Sequence, residues 1–146
     1  MTEIIPMASD HAGFELKEKL KKYLEQQGYT IKDMGCYSSD SVDYPDMIHP
    51  LAKEINENKY PFAIIMCGTG NGVSMVANKY PFVRCALCWD KELAALAKQH
   101  NNANIIALPA RFISFEKAKE IVNTYLNSSF EGDRHLRRIN KIPISK

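Results

Sequence analysis

Ala63-Ile64-Ile65-Met66-Cys67-Gly68-Thr69-Gly70-Asn71-Gly72 is the stretch on which the fold turns. The apolar run from Ala63 to Met66, bounded by Pro61 upstream and Cys67-Gly68 downstream, suits a short strand covered on both faces, the habit of a parallel sheet. Gly68, Gly70 and Gly72 strip side chains from the turn that follows, so backbone N–H groups can converge there on an oxyanion or a phosphate. A tight turn alone needs a single glycine, and this one also presents a thiol at the strand end. Val73 to Asn78 then reads as a helix, which makes the unit strand, glycine loop, helix.

The same alternation extends in both directions. Upstream, Ile4 to Ala8 reads as a first strand, followed by the polar turn Ser9-Asp10-His11-Ala12-Gly13. From Phe14, the residues Leu16, Leu20, Tyr23 and Leu24 recur at helical spacing until Gly28, a C-terminal cap. Thr30 to Met34 reads as a second strand, Tyr37 to Tyr44 as a loop, and Pro45 opens a helix lined by Met47, Ile48, Leu51, Ala52 and Ile55. Downstream, Val83 to Leu87 reads as a strand, and Asp90 caps a helix over Lys91 to Gln99. Ile105 to Leu108 is a fifth strand, and Ser114 caps a helix facing inward through Ala118, Ile121, Val122 and Tyr125. Such alternation predicts an α/β fold: a Rossmann-like parallel sheet of about five strands with helices on both faces and a C-terminal tail that can be helical. Ligands of such sheets sit at the carboxyl ends of the strands, so the loops from Ser9, Gly35, Cys67, Trp89 and Pro109 hold the candidate site.

The chain has 146 residues, 45% hydrophobic and 25% charged, which predicts one globular domain over 1–146 and excludes disorder. No apolar run reaches membrane length, and the N-terminus lacks a secretory pattern, so a cytoplasmic location is expected. Cys36, Cys67, Cys85 and Cys88 are then expected as free thiols. A net charge of +2 argues against nucleic acid as a partner, but Arg134, Arg137, Arg138, Lys141 and Lys146 crowd the last stretch and suggest a local anion site.

Two familiar phosphate loops do not fit: a Walker loop needs Gly-Lys-Ser/Thr at its end, and a dinucleotide loop needs glycine where Val73 stands. Cys67, at a strand end before a helix, is the candidate base or nucleophile. Cys85 and Cys88, three apart on a strand, point to opposite faces and read as structural, with no second ligand pair for zinc. His100 alone reads as helix capping; set beside a thiol, Asp10 and His11 on other turns, it reads as a titrating group. In a helical tail Arg134 and Arg138 share one face and form a double guanidinium fork suited to phosphate; a solvated basic tail is the plainer alternative. Arg111, just past the fifth strand, is a further phosphate ligand or a surface charge.

Taken in order, Ser9-Asp10-His11-Ala12-Gly13, Asp43-Tyr44-Pro45, the Cys67–Gly72 loop, Gln99-His100-Asn101 and Gly132-Asp133-Arg134-His135 resemble the type B ribose-5-phosphate isomerases, a family that also holds galactose-6-phosphate and allose-6-phosphate isomerases. The resemblance implies an aldose–ketose isomerase without metal or cofactor, whose active site is completed by a neighbouring subunit in a homodimer or tetramer. It implies that Cys67 shuttles the proton between C2 and C1, that His100 with Asp10 opens the sugar ring, and that Thr69 assists. The backbone of Gly68, Thr69, Gly70, Asn71 and Gly72 would hold the enediolate oxygen. His11, Tyr44, Asn101, Arg111, Arg134, His135 and Arg138 would hold the phosphate and hydroxyls. Ribose 5-phosphate is the expected substrate, with a six-carbon sugar phosphate as the alternative. Two other classes stay open: a phosphosugar-binding module without turnover, and a thiol-dependent transferase that would carry a covalent adduct on Cys67.

Overall fold

The computed structural model describes residues 3–144, so the Met1-Thr2 start and Lys146 of the basic tail lie outside the described residues. Chain order is β1 (Ile4–Ser9), a 3-10 turn (His11–Gly13), α1 (Phe14–Gln26), β2 (Thr30–Asp33), α2 (Tyr44–Asn56) and β3 (Ala63–Cys67). There follow α3 (Asn71–Ala77), β4 (Cys85–Leu87), α4 (Lys91–Asn101), β5 (Ile105–Pro109), α5 (Phe115–Leu126) and α6 (Arg134–Ile139). All strand pairs are parallel, and the sheet runs β2-β1-β3-β5-β4. The expected α/β architecture is therefore present, down to the helical tail.

Helices cover both faces because both faces are apolar. On one side Leu16, Leu20 and Leu24 of α1, Ala94 and Ala97 of α4, and Ala118, Ile121, Val122 and Tyr125 of α5 pack on Ile5, Met7, Ile64, Met66, Ile106 and Leu108. On the other, Ile48, Leu51, Ala52 and Ile55 of α2 and Val73 and Ala77 of α3 pack on Ala8, Ala63, Ile65, Ile105 and Ala107. The alternate residues of β3 thus divide between two cores, the reason its sequence is a continuous apolar run. Cys88 belongs to the first core and Cys85 packs against the second, and burial pushes both thiols up to about 12.

The expected caps form: the Asp90 carboxylate accepts the Glu92 N–H, and Ser114 Oγ accepts the Lys117 N–H. Three boundaries differ. The fourth strand starts at Cys85 rather than Val83, because Val83 N–H closes a turn onto Tyr80 O and Arg84 N–H is taken by the Asn104 side chain. α3 starts at Asn71, two residues early, since Gly70 at φ +76° serves as its left-handed cap. α4 runs on to Asn101, so His100 lies in its last turn. No helix among the described residues is long and apolar enough to cross a membrane.

Candidate functional site

In a sheet ordered 2-1-3 the chain leaves β1 and β3 toward opposite faces, which opens a crevice between their carboxyl ends. Ser9 pairs with Met66, so the turn after β1 and the loop after β3 lie side by side. Asp10, almost fully buried, accepts the Gly13 N–H at 3.1 Å and caps the 3-10 turn. His11 Nδ1 accepts the Val42 N–H at 3.2 Å, so a neutral His11 carries its proton on Nε2. Cys67 ends β3, and its Sγ accepts the Gly70 N–H at 3.1 Å. Thr69 Oγ1 accepts the Asn71 N–H at 3.1 Å, which ties the loop to the first turn of α3.

The glycines of this loop make room for site residues. A Cβ on Gly68 would lie 3.2 Å from Arg111 Cδ and Nη1, so the guanidinium is laid over the loop, and Arg111 N–H bonds Gly68 O at 3.0 Å. A Cβ on Gly72 would lie 2.7 Å from the Tyr44 ring. Gly70 alone also needs its backbone freedom, for its φ of +76° is one that other residues rarely adopt. The structure thus brings Asp10, His11, Tyr44, Cys67, Gly68, Thr69, Gly70, Asn71, Gly72 and Arg111 to one end of the sheet.

The remaining expected residues lie elsewhere. α4 leaves the carboxyl end of β4 and runs back, and its last turn adjoins the amino ends of the strands: Arg84, just before β4, reaches Asn101 O and Asn102 O, while Asn104 O accepts the N–H of Ala63 at the start of β3. His100, Asn101, His135 and Arg138 line a cleft of about 290 Å³ there, together with Ile139 and Ile142. Arg134 and Arg138 do sit one turn apart on α6, as the spacing implied. His100 and His135 stack with ring centroids 4.3 Å apart and planes 12° off parallel. Burial first, then the neighbouring His100 and the guanidinium of Arg134, hold the His135 imidazole below its ordinary value, although Glu131 acts in the opposite sense. Strands of five residues at about 3.3 Å each separate the two groups by roughly 13 Å or more within one chain.

Glu131, missed in the sequence, joins the second group: its Oε1 lies 3.8 Å from His100 Nε2 and 3.5 Å from His135 Nε2. A lone glutamate in a polar tail carries no signal; only the bond from Glu131 N–H to Gln99 O at 3.0 Å shows how the tail folds back on α4.

Comparison with known proteins agrees with this fold. The family model described as Ribose/Galactose Isomerase matches residues 5–142. A probable ribose-5-phosphate isomerase B of Mycoplasma pneumoniae is 43% identical over 97% of this chain and 94% of its own. The ribose-5-phosphate isomerase B of Escherichia coli is 36% identical over 94% and 93%. Among solved structures, a ribose 5-phosphate isomerase of Thermotoga maritima superposes with a TM-score of 0.95 at 50% identity, covering 98% of this chain and 99% of that one. Ribose-5-phosphate isomerase B of Mycoplasma genitalium, solved with bound ribulose-5-phosphate, gives 0.92 at 40% identity, covering 97% and 95%. With matches spanning nearly its whole length, the chain belongs to the ribose/galactose isomerase family.

Proposed function

We propose that this protein interconverts ribose 5-phosphate and ribulose 5-phosphate through a cis-enediolate, in an active site assembled from two copies of the chain. The observation that carries the reading is Cys67 at the β3 end, its sulfur held as a hydrogen-bond acceptor inside a glycine loop over which the Arg111 guanidinium lies. Isomerisation needs a base over one face of the substrate and donors aimed at the oxygen that becomes anionic. Cys67 is that base. The N–H groups of Gly70 and Asn71 are engaged inside the loop, which leaves those of Gly68, Thr69 and Gly72 to meet the enediolate oxygen.

Ring opening needs a second proton-transfer group, and His100 is too far away to serve the Cys67 of its own chain. A partner's copy supplies it. Met75, Phe82, Trp89 and Leu96 are exposed on the elements that flank the edge strand β4, an apolar surface suited to self-association. A two-fold axis across that edge lays the amino ends of one sheet beside the carboxyl ends of the other, bringing His100, Asn101, Arg134, His135 and Arg138 of one copy toward Asp10, His11, Tyr44, Cys67 and Arg111 of its partner. The guanidinium groups and His11 then hold the phosphate, and Asp10 with His100 opens the ring. The four free thiols fit the reducing cytoplasm.

The test is formation of ribulose 5-phosphate from ribose 5-phosphate in the presence of a chelator, with allose 6-phosphate and galactose 6-phosphate alongside. Chelator-resistant turnover of the pentose supports the reading. Turnover of a hexose phosphate alone would change the substrate, and binding without turnover would leave a phosphosugar-binding module.

A further inference from the structure

Glu131 has no part in the isomerisation described above. A carboxylate beside arginines repels the phosphate they would hold, yet Glu131 sits within 3.8 Å of both His100 and His135 nitrogens. His135 is 6% exposed, and its Nε2 is buried with no hydrogen-bond partner among the described residues. A buried nitrogen left without a partner calls for an explanation, of which a bound ion is one.

The donor atoms of His100, Glu131 and His135 lie within 4.8 Å of one another, and the two histidines line the cleft that Asn101 and Arg138 also line. Two imidazoles and a carboxylate are the donor set of open zinc sites, in which water completes the tetrahedron. The scaffold is built rather than accidental: Glu131 N–H is tied to Gln99 O, and His135 N–H to Gly132 O. Closing onto an ion at about 2.0–2.2 Å needs the donors to converge by about 1 Å. The His100 and Glu131 side chains, 41% and 51% exposed, can turn toward the fixed His135.

We infer that His100, Glu131 and His135 bind a borderline divalent cation of the zinc type, and that the bound ion silences the enzyme by withdrawing His100 from ring opening. The site stands on geometry alone; the silencing rests on the role proposed above for His100. The ion is an inhibitor, so turnover itself stays metal-independent.

The experiment titrates chelator-stripped protein with zinc by calorimetry and follows pentose phosphate turnover in parallel. One ion per chain should bind, with turnover falling at the same midpoint and recovering on addition of chelator. Glu131→Gln, at a half-exposed position that tolerates the change, should bind zinc at least about tenfold more weakly, and the zinc concentration that halves its turnover should rise by the same factor. Cys67→Ala should bind zinc like the wild type, and cobalt(II) should show no thiolate charge-transfer band. No saturable binding, binding unaffected by Glu131→Gln, or binding lost in Cys67→Ala would each overturn the site. Zinc held by the triad with turnover undiminished would overturn the silencing and with it the role of His100. Absence of turnover in stripped wild type that still binds zinc would overturn the isomerase reading and leave the site standing.

Discussion

Replacing Cys67 by Ala removes the base proposed above, and with it the acceptor of the Gly70 N–H, while leaving Arg111 and Tyr44 in place. The expected outcome is a fall in kcat of about 10²–10⁴-fold with KM little changed, read from ribulose 5-phosphate formation. Gly70→Ala attacks the same loop through its backbone. The new Cβ would collide with Leu87 Cδ1, and the φ of +76° costs a non-glycine residue about 1–2 kcal/mol. Lower stability in urea together with lost turnover is the expected result. These residues were legible in the sequence because strand, thiol and glycines are contiguous. Glu131 was not, since one of its partners, His100, comes from a helix some thirty residues earlier and no spacing rule links the two.

Helix α1 shows an element doing work that its sequence hides. Lys17 reads as one more solvated lysine in Glu15-Leu16-Lys17-Glu18-Lys19, yet its side chain is fully buried and its Nζ lies 2.8 Å from both oxygens of Asp33. Asp33 also accepts the Gly35 N–H at 3.0 Å, and Gly35 O in turn accepts the Ser9 N–H at 2.7 Å. The pair thus anchors the loop that leads to Val42 and Tyr44, hence the setting of His11. Lys17→Met should cost about 3 kcal/mol in urea unfolding, because it leaves a partly buried carboxylate with only Lys21 and the Gly35 N–H to answer it. Burial by itself would raise the Asp33 carboxyl; the hydrogen bond from Lys17, the Gly35 N–H and Lys21 outweigh it and hold the group below the usual carboxylate range. A depressed carboxyl contributes stability above its unfolded pKa and loses it as pH falls through the folded one. The Tm difference between wild type and Asp33→Asn should therefore shrink between roughly pH 5 and pH 3. Element type was readable from caps such as Asp90 and Ser114. Ends were less so, because β4 is shortened by the side chain of Asn104, a partner distant in sequence.

Parallel strands alternating with helices were legible at the scale of the whole molecule, but the position of β5 between β3 and β4 was not: strand order depends on which crossovers pack, not on any one segment. The candidate residues were named individually, and the fold sorts them onto the two ends of the sheet. Leu96→Glu, which charges the apolar surface beside the β4 edge, should yield a folded monomer with little turnover, measured by light scattering and the isomerase assay. The most direct test of a site shared between chains is complementation. Cys67→Ala and His100→Ala chains, each inactive alone, are co-expressed with different tags and the doubly tagged assembly is isolated. In a dimer of these two chains one site inherits both lesions and the other neither, so about half the wild-type turnover per dimer is predicted. An inactive doubly tagged dimer, when doubly tagged wild type is fully active, would contradict the shared site, because every site built within one chain would carry a lesion.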